Sequence, residues 1–191
     1  LVPSEKTGPR VSVIHPLLHE NTSDLSEQRF TSTFSGKEFF INDHQVKGHK
    51  VLPSVSCLEM ARAALEKVSE SKNLDGHSLR INDLSWSHPI LVTENGRDLH
   101  IALFGDTASS VQFEIYSEPE ANEEASVHCQ GHAEIKVIQD QTSLDLAALR
   151  SQMNQGSLNA ESCYRSFKSI GLDYGTGFRC ITDLYRGEQQ V

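Results

Sequence analysis

The 191 residues predict an α+β fold in which an antiparallel sheet wraps around one long helix. Val55, Leu58, Ala61, Leu65 and Val68 recur at helical spacing between Pro53 and about Ser69, the one long stretch with that period. On either side of it, aromatic and β-branched residues alternate with polar ones at period two, as strands with one buried face require. Clusters of Gly, Asn, Asp and Ser separate those segments as turns.

Taken in order, residues 1–28 contain Pro, Ser and Glu with weak periodicity and read as an extended lead-in around His15-Pro16-Leu17-Leu18. Arg29 to Ser35 and the run Phe39 to Ile41 read as a hairpin broken at Ser35-Gly36. The helix follows, and Pro53 suits its start because a first-turn N–H would go unbonded anyway. Leu79, Ile81 and Trp86 mark the next strand. Leu99, Ile101 and Leu103 mark another, Val111, Phe113 and Ile115 a third, and Val127 to Val137 a fourth. The acidic stretch from Ser117 to Ser126 reads as a solvated loop. A polar tract between about Ile138 and Ser157 carries one short helix-like patch. Beyond it an amphipathic turn through Tyr164 and Phe167 leads to a glycine and an aromatic-rich strand. The expected organisation is a first unit over residues 1–140, a linker over 141–157, and over 158–191 the beginning of a second unit that these residues do not complete.

Composition removes several classes of function. An apolar content of 37% is ordinary for a soluble globular protein. The net charge of −9, from 17 Lys and Arg against 26 Asp and Glu, repels phosphate backbones and anionic lipid, so neither nucleic acid nor membrane is an expected partner. No apolar run approaches the roughly 20 residues of a membrane span, and the first ten residues lack the apolar core of a signal peptide. The chain reads as cytoplasmic. Cys57, Cys129, Cys163 and Cys180 are scattered without CxxC spacing, which fits reduced thiols.

An antiparallel sheet around a central helix is the hot dog arrangement. His44, Gly48 and Pro53 form an HxxxGxxxxP motif just ahead of the helix. Nine histidines and average glycine and proline usage would yield that spacing about 0.03 times per such chain, so chance is a poor explanation. With Gly171-Leu172-Asp173-Tyr174-Gly175-Thr176-Gly177-Phe178, which is similar to a GYxYGPxF segment, the chain resembles the dehydratase domains of modular polyketide synthases. The stretch from Val51 to Ala64 most resembles those of bacterial trans-acyltransferase assembly lines. The resemblance implies a double hot dog of which the chain holds the N-terminal half. It further implies a substrate carried on the phosphopantetheine arm of an acyl carrier protein and no cofactor bound by the domain itself. As partners it implies the acyl carrier protein, neighbouring synthase domains and a second copy of the parent synthase, a homodimer.

Removing water from a β-hydroxyacyl thioester needs a base for the α-proton and an acid for the departing hydroxyl, and imidazole serves as base near neutral pH. His44 is the candidate. The N-terminus of the helix offers unpaired N–H groups and a favourable dipole to charge developing on the thioester oxygen. Gly48 and Pro53 position the loop and the helix start. The resemblance adds Tyr174, hydrogen-bonded near the substrate hydroxyl, with Ser54 and Gly175 beside it, and an acid from a DxxxQ or DxxxH motif in the second half. Two positions depart from the family pattern: Ser54 stands where glycine is usual, placing a Cβ that is expected either to narrow the acyl tunnel or to alter how the oxyanion is held, and Thr176 stands where proline is usual, affecting the placement of Tyr174.

His128 and His132 share one face of a predicted strand with no third ligand at recognisable spacing, so they read as exposed polar residues and no metal is expected. Cys57 reads as a small core residue. Beside dehydration, the same fold is compatible with shifting a double bond, with closing a cyclic ether as a pyran synthase does, or with a non-catalytic docking role.

Overall fold

The structure, a computed structural model, describes residues 13–69, 77–107, 110–119, 125–137 and 143–188. The first twelve residues of the lead-in and the centre of the acidic loop, 120–124, lie outside them.

Residues 15–18 fold into a tight turn in which His15 and Leu18 exchange backbone hydrogen bonds of 2.9 Å, and Leu18 is fully buried. Strands β1 (Glu20–Asn21) and β2 (Gln28–Phe34) follow. The expected second arm of a hairpin at 39–41 is instead one helical turn, α1 (Phe39–Asn42). Its cause is local: the Glu38 carboxylate accepts from the N–H and hydroxyl of Ser35 at 2.8 and 2.9 Å, and the Glu38 carbonyl accepts from Ile41 and Asn42. These bonds bend the chain at Glu38, the N-cap of α1, and outweigh the strand propensity of Phe39, Phe40 and Ile41.

The motif segment forms a small hairpin, β3 (His44–Val46) and β4 (His49–Lys50), before α2 (Val55–Val68). Strands β5 (His77–Trp86), β6 (Arg97–Thr107), β7 (Ser110–Ser117) and β8 (Ser126–Val137) complete a six-stranded antiparallel sheet with order β1-β2-β6-β7-β8-β5. The sheet curls around α2, which buries Cys57, Met60, Ala61, Ala64 and Leu65 against Phe30, Phe34, Leu99, Ile101, Phe113 and Ile115. Ala61, Ala63 and Ala64 carry no bulk and let the strands approach. Met60 and Leu65 supply the apolar payload, about 1.5–3 kcal/mol each on full burial. The buried stripe is rotated from the one the period suggests: Val55 is 65% exposed and lies on the side of the cavity described below, while Ser56 and Cys57 beside it are buried.

At His128 the sheet is irregular. Ile115 faces Cys129 while Tyr116 faces Val127, so β8 carries one extra residue. Such a bulge turns a side chain from its alternating face, and His128 is buried rather than exposed as alternation predicts. Its Nε2 lies 3.0 Å from Ser117 Oγ and its Nδ1 lies 3.3 Å from the His88 carbonyl. His132 stays on the surface, 3.7 Å from Asp83.

After the sheet come α3 (Leu146–Gln152), capped by the Asp145 side chain, β9 (Ser157–Asn159) and α4 (Ala160–Ser169), capped by Asn159. The expected aromatic-rich strand is divided into β10 (Leu172–Tyr174), a 3₁₀ turn (Thr176–Phe178) and β11 (Asp183–Tyr185), which pairs with β9. Strand β10 crosses back to the motif and pairs with β3, giving a three-stranded sheet of order β10-β3-β4.

Candidate active site

The β3–β4 hairpin turns at Lys47 and Gly48, both at positive φ (51° and 80°), the pair of left-handed conformations that a two-residue hairpin favours. A Cβ on Gly48 would meet nothing within 4 Å, so the glycine is there for its backbone angle. Gly48 lies at the hairpin tip and does not border the cavity described below.

The hairpin delivers His44, half-buried, to the foot of α2. Its Nδ1 lies 2.8 Å from the Val51 carbonyl oxygen, and the Val51 N–H donates back to the His44 carbonyl at 3.2 Å. A carbonyl only accepts, so Nδ1 carries the hydrogen and Nε2 holds the lone pair. Buried Pro53 leads into α2. The first turn bonds from Ser56 N–H to the Pro53 carbonyl and from Cys57 N–H to the Ser54 carbonyl, so the N–H groups of Ser54 and Val55 lie ahead of the helical bonding. Ser54 is the N-cap residue, yet its side chain makes no capping bond. Its carbonyl also accepts from Trp86 Nε1 at 3.3 Å.

Against these residues stand the aromatic rings of α4, β10 and the 3₁₀ turn. Tyr174 is directly opposite His44 in the β3–β10 ladder, and its ring centroid lies 5.6 Å from the imidazole. Phe178 is also 5.6 Å from His44 and stacks on Tyr174 at 6.0 Å. Tyr164 Oη accepts from Ile181 N–H at 2.9 Å and donates to the Phe178 carbonyl at 3.3 Å, which fixes the outer wall. Between the two sides lies a cavity of about 430 Å³, bordered by His44, Pro53, Ser54 and Val55 on one side and by Tyr164, Phe167, Tyr174, Phe178 and Ile181 on the other. Ser54 borders a second hollow of about 250 Å³ as well, shared with Trp86, His88 and His128. Of the six residues singled out in the sequence, His44, Pro53, Ser54 and Tyr174 meet at one cavity, and Gly175 adjoins it.

Asp43 escaped the sequence reading. Its carbonyl accepts from Gly175 N–H and its Oδ2 accepts from Gly177 N–H, both at 2.8 Å. No local pattern marks an aspartate whose partners lie more than 130 residues along the chain. The only hint was the close pair of glycines in YGTGF. Among the other groups, Cys57 is buried, and its thiol is pushed up by its hydrogen bond to Cys129 and by burial, which makes it inert.

The chain matches the family described as "Polyketide synthase dehydratase domain" over residues 15–118, and that described as "Polyketide synthase dehydratase N-terminal domain" over residues 141–191. The chain belongs to the polyketide synthase dehydratase family. It is similar to polyketide synthase PksM of Bacillus subtilis (strain 168), 40% identical over 191 residues, which is all of this chain and 4% of PksM. It is also similar to PksN of the same strain, 40% identical over 180 residues, 94% of this chain and 3% of PksN. Among solved structures it is similar to a trans-AT polyketide synthase dehydratase domain from Brevibacillus brevis, with a TM-score of 0.87 and 40% identity, covering 92% of this chain and 61% of that one. The chain thus spans a small part of the curated relatives and about three-fifths of the solved dehydratase domain. The expected α+β hot dog architecture of this family is borne out.

Proposed function

We propose that the protein acts as part of a polyketide synthase, dehydrating a 3-hydroxyacyl thioester held on the phosphopantetheine arm of an acyl carrier protein to the α,β-enoyl thioester. The observation that carries this reading is His44 at an aromatic-walled cavity, with Nδ1 fixed on the Val51 carbonyl and Nε2 left as the basic nitrogen. Nε2 takes the α-proton, and the Val51 carbonyl then faces an imidazolium N–H, which stabilises the positive charge. The electrons of the broken C–H bond form the new double bond as the β C–O bond breaks. Negative charge gathering on the thioester oxygen is met by the N–H groups of Ser54 and Val55 at the start of α2.

Tyr174 lies on the opposite wall and takes the side of the departing hydroxyl; Pro53, Gly48 and Gly175 set the backbone around it. The described cavity lining contains no carboxyl group. The reading therefore takes the acid that turns the hydroxyl into water from a second half, in the DxxxQ or DxxxH motif that family resemblance implies. The same reading divides the chain at 140 and 157, with the residues from 158 onward belonging to the second hot dog. It makes the parent synthase a cytoplasmic homodimer and leaves the domain without a cofactor of its own.

The test is to give the complete dehydratase domain that contains this chain a 3-hydroxyacyl group on its carrier protein and to follow the intact mass. Loss of one water supports dehydration. An unchanged mass would overturn it, and an enoyl or hydroxy-enoyl group on the same carrier whose double bond moves or whose ring closes at constant mass, followed by NMR, would assign the site to isomerisation or cyclisation instead.

A further inference from the structure

Asp43 occupies the residue before the motif histidine, at the end of α1, where its own N–H donates to the Phe39 carbonyl at 2.8 Å. Everything else it offers is directed at the YGTGF segment. The main-chain carbonyl holds Gly175, and the carboxylate holds the N–H of Gly177, inside the 3₁₀ turn whose N-cap, Gly175, has no side chain to cap it. Asp43 is therefore a cap supplied from across the fold.

Both glycines are needed for that contact. Gly175 has φ −73°, an angle any residue adopts, so conformational freedom does not explain it. A Cβ there would overlap the Asp43 carboxyl group. A Cβ on Gly177 would come within 3.1 Å of both Asp43 Oδ2 and the Phe39 ring. The two residues that flank this clamped glycine pair, Tyr174 and Phe178, are the two whose rings lie 5.6 Å from His44.

We propose that Asp43 is a positioning residue of the active site, and that its carboxylate locks the YGTGF turn so that Tyr174 and Phe178 are held against His44. The inference rests on the dehydration reading for its catalytic consequence but not for the clamp itself. Asp43 acts through geometry: the imidazole takes its hydrogen-bond partner from Val51, not from this carboxylate. The β3–β10 ladder and the bond from Arg179 Nε to the Tyr174 carbonyl at 2.8 Å fix the backbone up to Tyr174, and Asp43 fixes it from Gly175 onward.

The experiment uses the complete dehydratase domain and two readouts. Amide hydrogen exchange tests the clamp whatever reaction the site performs: the Gly177 amide should exchange about 10- to 100-fold faster in Asp43→Ala, from loss of a hydrogen bond to a charged group, and stay protected in Asp43→Asn, whose amide oxygen can accept in the same place. Turnover of a carrier-bound 3-hydroxyacyl thioester tests the consequence. Asp43→Ala should lower kcat by a similar factor with KM little changed. Asp43→Asn should restore most of kcat, with the pH–rate profile unmoved. Gly175→Ala should lower kcat too, and Gly175→Ala combined with Asp43→Ala should be no worse than Gly175→Ala alone, since removing the carboxyl group removes the atoms that the new Cβ would overlap most closely. Gly177 exchange that is unchanged in Asp43→Ala would overturn the clamp. Gly177 exchange that rises while kcat stays at the wild-type value would overturn the positioning role. An Asp43→Asn variant as slow as Asp43→Ala, with a displaced pH profile, would overturn the geometric account in favour of an electrostatic one. A wild-type domain that releases no water, with Gly177 exchange behaving as stated, would reject the dehydration reading and leave the clamp standing.

Discussion

At the scale of single residues, two histidines show how environment divides one side chain into two roles. His44 is half-buried at a cavity with one ring nitrogen engaged and the other left over. His128 has both nitrogens engaged inside the protein, and burial, followed by the nearby Arg97, pushes its pKa below the ordinary histidine value. The sign of the pH effect follows. Above an unfolded-state pKa near 6.5 both folded and unfolded chains hold a neutral ring, and below it the unfolded chain takes up the proton more readily, so acidification favours unfolding. His128→Gln removes that proton uptake. The stability advantage of wild type over His128→Gln, measured by thermal melts, should shrink as pH falls from about 7.5 to about 5; an advantage that stays constant or grows would mean that His128 is not held neutral. The sequence could not place His128, because strand alternation puts it outside and only the extra residue in β8 turns it in. His44, Pro53, Ser54 and Tyr174 were legible, since motif spacing survives without knowledge of the fold. Asp43 was not, because its role exists only once β10 lies beside β3.

At the scale of elements, the period of α2 and the alternation of β5 to β8 were readable because each is set by burial of one face, and burial leaves a periodic trace. The turn at 39–42 was not, because the bonds of Glu38 to Ser35, Ile41 and Asn42 decided it against the local apolar run. The β3–β4 hairpin lies between these cases: its glycine was read as a tight path, and the structure gives the reason in the positive φ of Lys47 and Gly48. A Gly48→Ala substitution encounters open space, so its whole cost is the left-handed backbone, about 1–2 kcal/mol. Chemical denaturation should show a loss of that size, and Gly48→Asn should lose less, because asparagine tolerates the conformation better. Equal stability of Gly48→Ala and wild type would show that the hairpin turns in another way.

At the scale of the whole molecule, the site joins two distant stretches of chain. One side comes from residues 44–55, ahead of and at the start of α2, and the other from residues 164–181 of α4, β10 and the 3₁₀ turn. Neither stretch forms a cavity alone, which is why the sequence showed two motifs and only the fold shows one site. Phe39 and Ile170, both 66% exposed, remain apolar surface elsewhere on the chain, which spans 61% of the solved Brevibacillus brevis dehydratase domain. The central claim is that His44 removes the α-proton of a carrier-bound substrate. The most direct measurement compares wild type with His44→Ala in the complete domain, scoring turnover of a 3-hydroxyacyl carrier protein by intact mass and folding by circular dichroism. The account predicts an unchanged fold and a rate reduced by about 10²- to 10⁴-fold, the usual contribution of a positioned general base. A folded His44→Ala variant that releases water at the wild-type rate would contradict it.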